Sequence, residues 1–409
     1  MVRDGAGIAE ADAMRVTTRP QNAHQTRLLE LLRDGGPRSR AELGDLVHMS
    51  RSKVAVELDR LAELGLIQNA GLAASRGGRR SGIVSLSPSL RFVGIDIGAT
   101  SIAVAVTDGE LRVLGKLQEP CDVRQGPDAV LGLALTLVAK LRDQGLLPQI
   151  HGVGLGVPGP VSFREGVPVV PPIMPGWDRY PVREALGREL GCPVQVDNDV
   201  NIMAVGEQHA GSARSVDDFL FIKIGTGIGC GIVVDGSVYR GASGSAGDIG
   251  HIRVAASGPT CACGNVGCLE AFFSGAALKR HATSAARSGQ SPYLAARLAE
   301  AGKVRVEDVA QAMMAGDAAA MRLVRAGGER VGQVLASLVS FFNPGLIVLG
   351  GSVPSLLGHP LLAEIRSVVY RQSLPLATGN LPIVLSELSD SAGVIGATRG
   401  ISDHVFSAP

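Results

Sequence analysis

Near the N-terminus, apolar residues recur at helical spacing between polar ones. From Asn22 to Leu32, the positions Leu28, Leu29, Leu31 and Leu32 predict an amphipathic helix, which Asp34-Gly35-Gly36-Pro37 stops. Ser39-Arg40-Ala41-Glu42 reads as a capping box opening a short helix with Leu43 and Val47. After the turn at Val47-His48-Met49, Ser50 is placed to cap a third helix. Its apolar positions are Val54, Leu58, Leu61 and Leu64, and Gly65 ends it. Leu66–Asn69 and Ser81–Ser87 read as short strands around a Gly/Ala/Ser/Arg loop. Three helices and a hairpin in this order predict a winged helix-turn-helix, whose third helix enters the DNA major groove.

At Arg91 the period changes. Val93, Ile95 and Ile97 alternate, as do Ile102, Val104 and Val106, with Gly98-Ala99-Thr100 between them, predicting a hairpin. Further strands are predicted at His151–Val157, Pro193–Val196, Phe219–Ile224, Gly229–Val234, Leu346–Leu349 and Ile383–Leu385. Helices are predicted at Ala129–Leu141, Asn201–Ala210, Ala319–Phe342 and Leu361–Arg371. This alternation predicts an α/β body of two lobes sharing a cleft. The expected boundaries are a polar, mobile tail over 1–20, a winged helix over 21–88, one lobe over 91–205 rejoined by 391–409, and a second over 206–390. Met14 offers a second start.

Composition narrows the class. Of 409 residues, 45% are hydrophobic and 19% charged, which excludes a wholly disordered chain. Aromatics reach only 3%, which argues against a stacking platform for single-stranded nucleic acid. The net charge of +1 excludes a global basic field; residues 1–95 nevertheless hold 14 Lys/Arg against 10 Asp/Glu. No apolar stretch is long enough to span a membrane, and the N-terminus lacks a secretory pattern. A cytoplasmic setting is therefore expected, with the six cysteines as thiols or metal ligands.

Several segments carry candidate chemistry. Arg51, Ser52 and Lys53 open the third helix, where side chains reach bases and phosphates. Arg76, Arg79 and Arg80 put guanidiniums on the wing. The alternative is a protein-interaction module with a solvated arginine loop. In Asp96-Ile97-Gly98-Ala99-Thr100 a tight turn offers backbone N–H groups to an anion, and Asp96 offers a carboxylate to Mg²⁺ through water; an ordinary hairpin turn reads the same way. The alternate glycines Gly225, Gly227, Gly229 and Gly231, with Thr226, suggest a phosphate cradle or a plain glycine turn. Gly350-Gly351-Ser352 forms a third glycine turn, where an adenosine could lie. Asp197-Asn198-Asp199-Val200-Asn201 follows a strand; it offers a carboxylate base in a cleft or simple capping of the next helix. His251, Cys261, Cys263 and Cys268 have the donor set of a tetrahedral structural Zn²⁺ site, the alternative being buried free thiols. Cys121, Cys192 and Cys230 are dispersed and read as core residues.

In this order the motifs resemble the ROK family of repressors and sugar kinases. They are Asp96-x-Gly98-x-Thr100, Val196–Asn201, the Gly225–Gly231 loop, Gly247-Asp248-Ile249-Gly250-His251 and Cys261–Glu270. The resemblance implies an actin-like ATPase fold of two α/β lobes behind a winged helix. It places ATP and Mg²⁺ at Asp96, Gly98, Thr100, Gly225, Thr226, Gly227, Gly229, Gly350 and Gly351. It makes Asp199 the catalytic base and assigns Asn198, Asp248, His251 and Glu270 to sugar hydroxyls, with His251 also ligating zinc beside the three cysteines. Three departures stand out. Ala99 and Ser101 replace the usual Gly and Lys of the first turn. Asp248 replaces Glu, withdrawing its carboxylate by about 1.5 Å, one C–C bond. The segment before Trp177 is also unusual. The resemblance implies a sugar-responsive regulator that binds operator DNA as a homodimer or homotetramer, with a sugar or sugar phosphate as effector. The alternatives are an active ATP-dependent sugar kinase carrying a DNA arm, and a scaffold binding neither ligand.

Overall fold

A computed structural model describes residues 19–72 and 82–409. The wing residues Arg76, Arg79 and Arg80 lie outside the described residues, as do 1–18 of the expected tail. Helices Ala23–Gly35, Arg40–Leu46 and Arg51–Glu63 accompany an antiparallel sheet of β1 (Arg38–Ser39), β2 (Ile67–Leu72) and β3 (Gly82–Leu86), ordered β1-β3-β2. Asn22 caps the first helix by accepting from the Gln25 N–H at 3.0 Å. The Ser39–Glu42 capping box forms as its sequence predicts, with both reciprocal bonds present. Ser50 occupies the cap position of the third helix, but its side chain makes no cap bond. Its hydroxyl meets that of Ser52 at 3.3 Å instead, so this expectation fails locally while the helix start holds.

The body contains two five-stranded sheets. The first has β4 (Phe92–Ile97), β5 (Ser101–Thr107), β6 (Val113–Pro120), β7 (Gly152–Val157) and, after the small hairpin of β8 (Val161–Ser162) and β9 (Val167–Pro168), β10 (Val194–Asn198). The second has β11 (Phe219–Ile224), β12 (Ile228–Val234), β13 (Ser237–Val238), β14 (Leu346–Gly350) and β15 (Ile383–Leu385). Their orders, β10-β7-β4-β5-β6 and β13-β12-β11-β14-β15, repeat one topology. In each, an antiparallel run of three strands is extended by two parallel ones. This duplication gives the two-lobed α/β body that the resemblance implies. β10 runs on to Asn198, two residues past the predicted strand. The predicted helix at Leu361–Arg371 is the second half of Ser352–Gln372, broken at Gly358 ahead of Pro360. No helix among the described residues is long and apolar enough to cross a membrane.

Two helices join the lobes. Asp199–Ala210 lies against β11, β12 and β7, and Ala392–Phe406 against β4, β5 and β7. They cross closely because Gly206 and Gly396 have no Cβ; one at either position would overlap the facing helix's backbone.

The winged helix shares its core with the body. Leu28, Leu32, Leu58 and Leu61 cluster with Leu90, Phe92, Ile401, Val405 and Phe406. Phe92 and Phe406 meet edge to face, with centroids 5.8 Å apart. Arg33, whose side chain is fully buried, pairs with Asp403 at 2.7 Å and Asp34 at 2.9 Å. Burial works against its charge, yet the two aspartates outweigh burial and raise its pKa. Arg33→Ala removes one of the two guanidiniums that serve these carboxylates, leaving Arg399 on both. It is expected to lower stability by roughly 2 kcal/mol in urea unfolding, a buried-pair value reduced because both aspartates are half exposed. An unchanged midpoint would contradict this role.

Candidate functional site

The end of β10 gives three consecutive residues three separate jobs. Asp197 is buried; its Oδ1 accepts from the Asn198 N–H at 2.7 Å and from Asn201 Nδ2 at 2.9 Å. Its Oδ2 accepts two bonds from the Arg240 guanidinium, at 3.0 and 2.7 Å. Asn198 caps the following helix by accepting from the N–H groups of Val200 and Asn201. Its Nδ2 donates to the Gly159 carbonyl at 2.8 Å and to Asp199 Oδ1 at 3.1 Å. Capping and presentation of a carboxylate thus coexist, because Asn198 does the capping and leaves Asp199 to the cleft.

Asp199 Oδ2 accepts from the Lys223 ammonium, the partner that the sequence reading does not find. Lys223 stands on β11 opposite Gly229 of β12 and Gly350 of β14, so both of its directly opposed partners lack a side chain. Burial opposes its charge, but Asp199 and Asp96 outweigh burial and raise its pKa. Asp96, at the end of β4, is half-buried, and its solvent-shielded Oδ1 has no hydrogen-bond partner. Burial pushes its pKa up to about 6; Lys223 pulls it down, while Asp199 adds to the rise. The signal that could have found Lys223 is a lone cation inside the apolar strand Phe-Leu-Phe-Ile-Lys-Ile.

The glycine segments divide by position. Gly98 closes the β4–β5 turn, its N–H donating to the Ser101 carbonyl at 2.8 Å. Gly225–Gly227 forms the β11–β12 turn, with the Gly225 N–H on the Gly227 carbonyl at 2.9 Å. Thr100 and Thr226, one from each turn, line a single cavity of about 800 Å³ together with Ala99, Asp122 and Arg124. Gly229 and Gly231 serve the fold instead. A Cβ at either would fall 2.8 Å from a side-chain atom of helix 199–210, Val200 Cγ2 and Ala204 Cβ respectively. At Gly350 a Cβ would run into the Phe221 ring. Gly351 has φ +89° and packs on the Ile224 carbonyl. Packing alone therefore accounts for Gly229 and Gly350, two positions that the resemblance gives to ATP.

The four metal-type residues converge. The donor atoms of His251, Cys261, Cys263 and Cys268 all lie within 4.8 Å of one another. Cys261 Sγ lies 3.5 Å from His251 Nδ1, and Cys263 Sγ 3.8 Å from Cys268 Sγ. Metal–sulfur bonds of about 2.3 Å give a tetrahedral edge of about 3.8 Å, so the cluster suits a four-coordinate ion. Positive φ at Gly264 (+88°) and Gly267 (+86°) wraps the chain this tightly. His251 turns Nδ1 to the thiols and leaves Nε2 facing Asp248 across 3.8 Å. Glu270 accepts from the Ile228 N–H at 2.9 Å, tying this segment to the glycine turn.

Arg51, Ser52 and Lys53 are all exposed on the first turn of their helix, and no ion pair among the described residues holds either cation. Helix 199–210, which starts beside Lys223, carries His209 in its last turn. His209 Nδ1 accepts from Arg399 at 3.1 Å, and Arg399 pairs with Asp34 of the winged helix at 2.9 Å. Burial, helped by Arg399, pushes the His209 pKa down to about 4, so it stays a neutral acceptor near pH 7. A cavity of about 640 Å³ opens at this junction, lined by Arg33, Asp34, Asp197, His209, Arg240 and Arg399 among others.

Comparison with known proteins supplies a wider frame. A model of the ROK family matches residues 92–402. The xylose repressor of Caldicellulosiruptor bescii is 28% identical over 386 residues, covering 93% of this chain and 96% of its own length. A solved ROK family transcriptional regulator, homologous to the E. coli MLC protein, aligns with TM-score 0.79 and 26% identity over 93% of this chain and 96% of its own. A Streptomyces griseus ROK glucokinase, solved with glucose and AMPPNP, aligns with TM-score 0.67 and 29% identity. It covers 76% of this chain and 99% of its own.

Gly231→Ala tests the seat of helix 199–210 on β12. The added Cβ would crowd Ala204 Cβ at 2.8 Å and the Val200 carbonyl at 3.0 Å. The expected loss is about 1–3 kcal/mol, an overpacking value, measured by thermal or urea unfolding. Full retention of stability would contradict this close seating.

Proposed function

We propose that this chain, which belongs to the ROK family, is a sugar-responsive transcriptional repressor whose effector binds in the cleft between the lobes. The observation that carries this reading is the continuity of the N-terminal domain with the body. The winged helix shares a core with helix 392–406, and that helix crosses the one that starts at the cleft. Full-length similarity to proteins named as repressors and regulators supports it. The exposed Arg51, Ser52 and Lys53 would face operator DNA, with Arg76, Arg79 and Arg80 of the wing on phosphates. Reading a palindrome requires at least a homodimer, and a homotetramer of such dimers serves equally. Operator binding places the protein in the cytoplasm.

The effector is a hexose, a hexose derivative or its phosphate. Asn198, Asp199 and Glu270 would bond its hydroxyls, as would His251 through Nε2. His251 Nε2 and Asp248 Oδ1, 3.8 Å apart, would together meet one hydroxyl approaching from the side. The soft S₃N donor set favours zinc, held by His251, Cys261, Cys263 and Cys268. Bound there, zinc would fix the His251 ring and, through the short Cys268–Glu270 link, the wall that carries Glu270. Closure on a sugar moves helix 199–210, and with it His209 against Arg399 and Asp34. The sugar shifts operator affinity only by its differential binding to the two arrangements.

Three outcomes test this reading. Duplexes selected from a random pool should bind tightly, and one sugar from a panel of hexoses, N-acetylhexosamines and pentoses should change operator Kd at least tenfold by fluorescence anisotropy. Failure to enrich any duplex would contradict the repressor assignment. Arg51→Ala with Lys53→Ala should weaken binding and reduce the salt slope by about two; an unchanged slope would remove this helix from the interface. Elemental analysis of protein purified under reduction without chelator should find one zinc per chain, lost in Cys263→Ser with Cys268→Ser. Stoichiometric zinc persisting in that double variant would place the ion elsewhere.

A further inference from the structure

The ROK resemblance brings with it a nucleotide and a divalent cation at the Asp96 end of the cleft, and the residues present do not fit that cation. A divalent ion here needs carboxylate oxygens and a ring of waters. Oδ2 of Asp199 already accepts from the Lys223 ammonium. Asp96 has Oδ2 beside Gly393 and a solvent-shielded Oδ1 without a hydrogen-bond partner, and the cation it faces is the Lys223 ammonium. Resting on the sugar-sensor reading of this cleft, we infer that the Lys223 ammonium is the permanent counter-ion of Asp96 and Asp199, so that the cleft takes its sugar without a divalent cation and performs no phosphoryl transfer.

The strand register is built for this lysine. Lys223 sits mid-sheet between Gly229 and Gly350, and a Cβ at Gly225 would lie 3.6 Å from its Cε. Its two cross-strand neighbours are glycines, over which Val200 and the Phe221 ring pack, and beyond them the ammonium meets Asp199. Charge bookkeeping agrees. Two carboxylates and one ammonium leave a single net negative charge, without the pair of anions that draws a dication. Asp199 keeps Oδ1 with Asn198 and stays a hydrogen-bond acceptor for a sugar hydroxyl at the edge of the pair. The Lys223 ammonium on Oδ2 competes with that hydroxyl's proton for the carboxylate's charge. Lys223 is a positioning residue here: it sets which ligands Asp199 can meet.

The test uses zinc-loaded, full-length protein with Mn²⁺ alone as the probe, followed by the loss of its free electron paramagnetic resonance signal. Wild type should bind no Mn²⁺ that Asp96→Asn removes. Lys223→Gln should gain one Mn²⁺ per chain, at least tenfold tighter than wild type, and Asp96→Asn added to it should abolish the gain. A wild-type Mn²⁺ site that depends on Asp96, or a folded Lys223→Gln without any gain, would overturn the inference. Should Lys223→Gln fail to fold, wild type still decides. ATP consumption with the operator-releasing sugar should be at background, and turnover that Asp199→Asn abolishes would overturn the proposal. A panel in which no sugar alters operator affinity would count against the sensor reading alone, because the Mn²⁺ titration needs no sugar.

Discussion

The two lobes and the N-terminal domain are packed together where helices 199–210 and 392–406 cross. The crossing is close because Gly206 and Gly396 present bare backbone to each other's helix. One helix begins at the cleft carboxylate; the other carries Ile401, Val405 and Phe406 into the winged-helix core. Close-packed contacts of this kind do not deform smoothly; they shift between discrete arrangements. A displacement of the cleft end of helix 199–210 therefore reaches the DNA module through packed backbone and not through a flexible linker.

The polar groups around the crossing make that transmission specific. Arg33, Asp34, Asp403, Arg399 and His209 form one chain of charged bonds from the first helix of the winged domain to the last turn of helix 199–210. Partly exposed pairs of this sort add little net stability, but the buried Arg33 penalises any arrangement that leaves it without a carboxylate. At the opposite end, Asp197 is satisfied by Arg240, and Asp199 by Lys223. Each end of the helix is thus held by a cation from another element.

Much of this was legible in the chain. The winged helix could be read because Leu28, Leu32, Val54, Leu58 and Leu61 are spaced by local helical periodicity, and all are buried. The cysteine cluster could be read because its ligands are close in sequence and their chemistry is distinctive. The glycine segments were ambiguous: alternate glycines look the same whether they cradle a phosphate or seat a helix, and Gly229 and Gly350 also pack closely. Lys223 escaped because its meaning depends on Asp96 and Asp199, which only the sheet order brings beside it. Arg33 escaped for the same reason, since Asp403 is 370 residues away. Long-range charge pairs leave no periodicity to read.

The central claim is that sugar and operator share one conformational equilibrium. Linkage makes this reciprocal: whatever factor the sugar applies to operator affinity, the operator must apply to sugar affinity. The most direct measurement is therefore sugar Kd by isothermal titration, on free protein and on protein saturated with operator. The account predicts that the two values differ by the same factor by which the sugar changes operator Kd. Equal sugar affinities in the two titrations would contradict it, and would separate the cleft from the DNA module despite their shared core.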